Sequence, residues 1–166
     1  ESVFYVDVPE DQGADGSKYM VCSGSSTSNT ISLSPRTALM RVRLTSDVED
    51  LSFVKITFEG APVIGRMQID GNVASVVSGT QSVEVAAHDN NDFYFTVLPG
   101  SITKMDVDVV KTDGSYGRKT SSGSLTISEG RIYNLSVNPA TITTVPAKKN
   151  WIELPEINTE GIFAGT

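Results

Sequence analysis

The sequence is poor in the residues that build the commonest disulfide and metal sites. Its 166 residues include a single cysteine, Cys22, and a single histidine, His88. One cysteine cannot form an intrachain disulfide, and no metal site can be built from cysteines alone. We therefore expect this chain to hold no metal and no cofactor.

Clusters of positive charge and long apolar runs are also missing. The net charge is −7, with 13 lysines and arginines against 20 aspartates and glutamates. Binding to a nucleic-acid backbone needs clustered Lys and Arg, so we expect this segment to bind no nucleic acid. The longest apolar runs fall far short of the roughly 18 residues that mark a membrane span, so we expect no membrane insertion. No long window has a clean helical period.

What the sequence does contain is a series of short stretches in which apolar and polar residues alternate. The clearest series spans residues 91–137, where the stretches end at Pro99-Gly100, Asp113-Gly114 and Glu129-Gly130. Alternation with a period of two is typical of half-buried antiparallel strands. Similar stretches elsewhere bring the total to about ten to twelve, which predicts an all-β, antiparallel β-sandwich with essentially no helix.

Two neighbouring stretches are expected to form a hairpin. Residues 38–45 and 51–58 each carry apolar side chains at alternate positions, and residues 46–49 between them resemble a turn. A hairpin between consecutive strands is the simplest topology. The predicted core consists of the apolar members of the strands: Met40, Val42, Leu44, Val54, Ile56, Phe58, Phe93, Phe95, Val97, Val107, Val109, Leu125, Ile127 and Leu135.

The composition divides the chain into three parts. Residues 1–30 contain a plausible first strand and, at residues 23–30, a stretch rich in Ser and Gly that we expect to be a flexible loop of the sandwich. Residues 31–140 hold the predicted sandwich core. Residues 141–166 look like a linker followed either by an additional strand of the sandwich or by the start of a second domain.

No arrangement typical of catalysis is evident. No serine lies in a nucleophile elbow, and no glycine-rich phosphate loop is present. The spacing does not indicate whether His88 lies beside a serine or beside Cys22. Asp106 and Asp108 share one face of a predicted strand, and the apolar residues that alternate with them occupy the other face. We therefore expect this pair of aspartates on the wet, solvent-facing side of the strand. We therefore expect no catalytic residue and no enzymatic activity.

Ligand binding is expected in loops at the ends of the sandwich, around residues 11–18, 88–92 and 113–116. In the last of these loops, Asp113 accompanies Tyr116, which is the preferred candidate for stacking against a sugar. The middle loop is the second candidate, and it lacks the spacing of an EF-hand calcium site. Its candidate ligand residues are His88, Asp89 and Asp92.

Two further tyrosines are weaker candidates for sugar binding. Tyr94 lies between Phe93 and Phe95, so we expect it to belong to one side of a packed strand. Tyr133 lies in the last strand of the 91–137 series. The sequence from Asn134 to Ser136 in the same strand matches the N-glycosylation sequon, a match that is common by chance.

Four segments share their residue pattern with one known family. Residues 92–100 are similar to that family's aromatic strand closing on Pro-Gly, and residues 109–116 to its Asp-Gly hairpin. Residues 125–135 are similar to its closing strand pair, and residues 38–42 to its early core strand. In these segments, and over about residues 31–138, the chain resembles the fimbrillin-like surface proteins of Bacteroidetes.

The resemblance implies a transthyretin-like, Greek-key sandwich that is exported and displayed at the outer membrane surface. It implies an adhesive or fimbria-associated role without catalysis, with other surface proteins or with host or bacterial glycans as partners. We expect an upstream export signal with a lipid anchor in the full gene product. Pilin subunits of the family generally have two such domains, whereas this chain has room for one. That difference favours a module of a larger surface protein.

Two alternatives for the function stay open. The stretch Trp151–Pro155 resembles the junction before the catalytic domain of some secreted Bacteroidetes DNA/RNA nucleases. The chain would then be the N-terminal accessory domain of such a nuclease. The other alternative is a carbohydrate-binding module of a surface lipoprotein.

Overall fold

A computed structural model describes residues 2–27 and 29–147 of the chain. This part contains thirteen β-strands, one short 3-10 helix and no α-helix, which confirms the predicted all-β sandwich. In strands such as residues 51–60 and 82–86, one row of alternating side chains is buried and the other row lies toward solvent. Their bounds are β1 Val3–Val8, β2 Cys22–Thr27, β3 Thr30–Pro35, β4 Ala38–Leu44, β5 Leu51–Gly60, β6 Ile64–Asp70, β7 Val73–Thr80, β8 Ser82–Ala86, β9 Asp92–Val97, β10 Gly100–Lys111, β11 Tyr116–Ile127, β12 Ile132–Val137 and β13 Thr143–Val145; the 3-10 helix is Gly16–Tyr19.

The larger layer is a five-stranded antiparallel sheet in the order β13-β11-β10-β5-β8. In its centre β10 pairs with β5, so that Val107 lies opposite Ile56 and Val109 lies opposite Val54. All four side chains are buried. They form a continuous apolar face because directly opposite residues of paired strands point to the same side.

The facing layer is a three-stranded sheet in the order β12-β4-β9. Met40 and Val42 of β4 lie opposite Phe95 and Phe93 of β9, and all four are fully buried. β12 pairs with β4 in parallel, which departs from the expected purely antiparallel arrangement. Parallel neighbours need a crossover connection, and here the intervening chain supplies strands of the other sheets.

The expected hairpin between residues 38–45 and 51–58 does not form. β4 and β5 belong to different sheets, so the chain at residues 45–50 passes from one layer to the other. The physical reason is burial of the apolar faces. Side by side in one sheet, the two strands would leave their apolar faces uncovered, whereas in facing layers each face covers the other.

Two smaller sheets complete the fold. β1, β6 and β7 form a three-stranded sheet whose Ile64 and Met67 join the same hydrophobic core. Most of residues 23–30, expected to be a flexible loop, belongs instead to a hairpin of β2 and β3 with Leu33 opposite Gly24. The loop prediction was wrong because the Ser-rich and Gly-rich stretch gains regular backbone pairing from β3, which composition does not reveal.

The predicted core is confirmed in most of its members. All are buried except Leu125 and Leu135, which are partly buried and pack against the core. β13 pairs with β11, so the sandwich continues past residue 140. The division into domains stays a prediction, and residues 148–166, with the expected extra strand or second domain, lie outside the described residues. No helix in the described ranges is long and apolar enough to cross a membrane.

Candidate functional site

The five predicted ligand residues lie at one end of the sandwich. His88, Asp89 and Asp92 follow β8 or open β9, while Asp113 and Tyr116 follow β10 or open β11. Both connections are hydrogen-bonded near the start of β5, because the backbone N–H groups of residues 87 and 112 donate to the carbonyl oxygens of residues 52 and 50. His88, Asp89 and Asp92 nevertheless line one cleft, whereas Tyr116 lines another.

The first of these, which we name the Tyr94 cleft, has a volume of about 450 Å³. It lies on the outward face of the β12-β4-β9 sheet, because Tyr94 and Leu39 alternate with inward-pointing core residues. The connection after β8 and the segment before the 3-10 helix form its sides. Its lining residues are Ala14, Asp15, Ser17, Leu39, His88, Asp89, Asn90, Asp92 and Tyr94.

Hydrogen bonds within the loop hold the polar side chains of this cleft. The N–H of Asn90 donates to His88 Nδ1 at 3.3 Å, and the N–H of Asp92 donates to Asn90 Oδ1 at 2.9 Å. The His88 ring packs on buried Phe93, with the ring centroids 4.5 Å apart. Because Nδ1 accepts a hydrogen bond, neutral His88 carries its proton on Nε2, where it can donate to a ligand.

Asp92 is clamped by two arginines of β4. Arg41 donates from Nε and Nη2 at 3.0 and 2.8 Å, and Arg43 donates from the same atoms at 2.8 and 2.9 Å. Paired contacts of this kind fix the geometry of a carboxylate. Because Asp15 and Asp89 line the same cleft as Asp92, its three carboxylates outnumber these two guanidinium groups by one. In the sequence, Arg41 and Arg43 are polar members of the alternating stretch 38–45, and nothing there indicates that they pair with Asp92.

The opposite side of the cleft depends on a buried glutamine. Gln12 is 1% exposed, and its amide donates to Thr96 O at 2.8 Å and accepts from Thr96 N–H at 2.9 Å. The side chain thus pairs with β9 as a neighbouring strand would. The N–H of Gln12 also donates to Glu84 O of β8, so this segment joins the edges of the two layers. The sequence offers no signal for this role.

The residues after Gln12 approach β9 closely. A Cβ on Gly16 would lie 2.2 Å from Gln12 Oε1 and 2.2 Å from the Tyr94 carbonyl oxygen, so only glycine fits. Asp15 caps the 3-10 helix by accepting from the hydroxyl and the N–H of Ser17 at 2.6 and 3.0 Å. These two hydrogen bonds lower the pKa of Asp15 and keep the carboxylate charged at neutral pH.

The second cleft, which we name the Tyr116 cleft, has a volume of about 340 Å³. Tyr116 pairs with Val145 of β13, and the Arg118 guanidinium lies 5.2 Å from the centre of its ring. This cation–π contact already occupies one face of the ring. The lining residues are Ser46, Asp47, Val48, Glu49, Val109, Lys111, Ser115, Tyr116, Gly117, Pro139, Ala140, Ile142 and Thr144.

Asp113 has a different position from the one that its proximity to Tyr116 suggests. It does not line the Tyr116 cleft. Its Oδ1 accepts from the hydroxyl and the N–H of Ser115 at 2.6 and 2.8 Å, and these bonds lower the pKa of Asp113. The carboxylate therefore holds the turn between β10 and β11, where Gly114 has a φ of 83°.

Asp106 and Asp108 correct another expectation, since both are buried and not on a wet face. Arg118 donates to both oxygens of Asp108 at 2.7 Å, and Asp106 contacts Thr120 and Lys104. Burial alone would raise the pKa of Asp106, but the hydrogen bonds from Thr120 and Lys104 outweigh it and lower the pKa overall. Long side chains of neighbouring strands cover this face, which alternation cannot reveal.

The remaining candidates take structural positions. Tyr133 donates from its hydroxyl to Thr126 O at 3.1 Å and accepts from Ser128 N–H at 2.9 Å. Cys22 is exposed in β2, and His88 lies in the connection after β8. Within residues 2–27 and 29–147, no group of three or more His, Cys, Asp or Glu side chains could hold a metal ion.

Comparison with solved structures finds a similar fold. No family model and no curated protein matches the sequence. Among solved structures, the fold is similar to that of a "putative cell adhesion protein" from Bacteroides uniformis, with a TM-score of 0.56 and 17% sequence identity. The two share a fold. The match covers 86% of this chain and 63% of the Bacteroides uniformis chain, so this protein spans less than two thirds of that structure.

Proposed function

We propose that this protein is a non-catalytic adhesion module of the bacterial cell surface that binds a glycan in the Tyr94 cleft. The observation that supports this most directly is the composition of that cleft. An aromatic side chain on a strand lies among polar side chains, and internal hydrogen bonds already orient several of them. Sites with few, well-placed polar groups around an apolar surface are typical of small-ligand recognition.

The chemistry of the cleft suits a neutral sugar. The Tyr94 ring offers an apolar face for the C–H groups of a pyranose. His88 Nε2–H can donate to a hydroxyl group, while the oxygens of Asp89 and Asn90 can accept from one. Because the loop is held by its own hydrogen bonds, little conformational entropy is lost when the ligand binds.

The same reasoning moves the preferred ligand residue from Tyr116 to Tyr94. One face of the Tyr116 ring is covered by Arg118, and Asp113 is engaged with Ser115. Both residues therefore already contribute to the fold of the β10–β11 end. His88, Asp89 and Asp92 keep their proposed place at the ligand site, with Asp92 acting through its arginine clamp as a positioning residue.

The cell-surface part of the proposal rests on two further supports. The fold is shared with a Bacteroides protein ascribed to adhesion, and the motifs resemble fimbrillin-like proteins. The proposal includes export, a lipid anchor upstream, association with the outer membrane, and other surface proteins or glycans as partners. If the chain is instead the accessory domain of a nuclease, the Tyr94 cleft has the same proposed role, and only the neighbouring domain of the gene product is different.

A glycan array probed with the full chain tests this proposal. For a glycan that binds, calorimetry should show that Tyr94→Ala weakens the affinity by about tenfold or more, since loss of about 1.4 kcal/mol of stacking gives a factor of ten. Tyr116→Ala is the matched control and should bind like the wild type. Loss of binding in Tyr116→Ala alone, or the absence of any binding glycan, would contradict the proposal, as would hydrolase activity that His88→Ala abolishes.

A further inference from the structure

The β2–β3 hairpin presents an uncharged apolar surface to solvent. Ile31 and Leu33 are 70% and 67% exposed, and both lie on one face of β3 because they are two positions apart. Between Lys18 and Arg36 the sequence contains no charged residue. This is unusual for the surface of a chain with a net charge of −7.

Among the described residues, nothing pairs with the outer edge of the hairpin. In residues 2–27 and 29–147, β2 and β3 pair only with each other. From Thr30 to Ser34, β3 has neither the lysine nor the proline with which proteins usually protect an edge. A two-stranded sheet by itself is only marginally stable and gains from a further strand.

The base of the hairpin is held firmly. Arg36 is buried, donates from Nε to Ser23 Oγ at 2.6 Å, and forms an ion pair with Glu129 at 3.3 Å. A Cβ on Gly130 would lie 2.6 Å from a ring carbon of Pro35, so the connection before β12 packs closely against the end of β3. The edge is thus presented from a fixed base.

We propose that β3 pairs with β3 of a second copy of this chain, antiparallel and about a two-fold axis at Ser32. In that register Ile31 of each copy lies opposite Leu33 of the other, which forms two apolar cross-strand pairs on one face. Such an interface is self-complementary and needs no second kind of chain. A four-stranded sheet then replaces two isolated hairpins.

Charge limits where two copies of this chain can meet. Two chains that each carry −7 repel one another over most approaches. Between the Lys18 and Arg36 positions the hairpin adds no charge of its own, so two copies can meet there without placing carboxylates together. The nearly symmetric order Ile31-Ser32-Leu33 is what favours a second copy, because each apolar side chain then lies opposite an apolar partner.

Sedimentation of the full chain over a range of concentrations tests the pairing. The wild type should show a concentration-dependent dimer, which Ile31→Lys/Leu33→Lys should weaken by about tenfold or more, because edge lysines would face each other across the axis. Val73→Lys/Val77→Lys is the matched control. It raises the net charge equally at two exposed valines of another edge strand, β7, and should leave the dimer unchanged.

Cross-linking gives an independent readout that does not depend on those variants. In a Cys22→Ser background, Ser32→Cys should be joined by a short bismaleimide about tenfold faster than Val73→Cys, because opposite residues place their Cβ atoms within about 5.5 Å. A wild-type chain that stays monomeric at all concentrations overturns the proposal. So does a dimer that Ile31→Lys/Leu33→Lys leaves intact, or equal cross-linking of the two cysteines.

Discussion

Replacing Gln12 with alanine tests most directly how the Tyr94 cleft is held. The Gln12 amide donates to the carbonyl oxygens of Thr96 and Pro9 and accepts from the N–H of Thr96. Gln12 and Thr96 are both buried. Alanine removes all three hydrogen bonds at once and leaves two backbone groups of Thr96 without their partner.

The expected loss follows from these two backbone groups. A buried donor or acceptor left unsatisfied costs about 1–3 kcal/mol, so the N–H and C=O of Thr96 together cost roughly 2–6 kcal/mol. Water that enters the vacated space would bring the loss toward the lower figure. Even that is a large part of the roughly 5–15 kcal/mol by which a domain is stable.

Urea unfolding followed by circular dichroism measures this loss. Gln81→Ala is the matched control, because Gln81 also donates from its amide to a backbone carbonyl, at Gly60, but is exposed. We expect the control to lose no more than about 0.5 kcal/mol. A loss below about 1 kcal/mol for Gln12→Ala would refute the reasoning that Gln12 stabilises the edge of β9.

Phe95→Ala should lower the free energy of unfolding by about 3–5 kcal/mol, because Phe95 is fully buried. Phe4→Ala, at an exposed position, should change it by less than about 1 kcal/mol. Equal losses in the two variants would contradict the assignment of Phe95 to the core. The pKa of Asp106 is lowered, so its stabilising effect is complete above its unfolded pKa of about 3.9 and is lost as pH falls through the folded value. Thermal unfolding at pH values below about 4 should therefore show a smaller acid-induced loss in Asp106→Asn than in the wild type, and parallel curves would count against this. A chain that ends at Asn150 should melt within a few degrees of the full chain, since residues 146–150 have the composition of a linker between domains. A much larger drop would show that the later residues contribute to stability.

The alternation of apolar residues predicted the positions of the strands correctly, but it did not predict which strands pair. Alternation at Met40 and Val42 identifies β4 and its buried face. The same alternation at Val54 and Ile56 identifies β5, yet nothing in either stretch indicates that they lie in different layers. Nearness in sequence suggested a hairpin, and burial of two apolar faces against each other decided otherwise.

The candidate site also combines residues that the sequence indicates with residues that only the fold brings together. The polar loop at His88 and the aromatic strand at Tyr94 are recognisable from composition. Gln12 is not, because a glutamine in a loop gives no sign that its amide will pair with a strand more than eighty residues away. The arginine clamp on Asp92 is also a long-range contact, formed only when β4 and β9 become neighbours.

The sequence by itself determined the all-β class, the positions of most strands and the identity of most core residues, because alternation and turn residues act within a few positions along the chain. The tertiary structure alone decided the order of strands in the sheets, the parallel pairing of β12 with β4, the burial of Asp106 and Asp108, and the assembly of the Tyr94 cleft from four segments. These depend on which surfaces cover one another, and that is set by the burial of distant apolar faces and the pairing of distant polar groups.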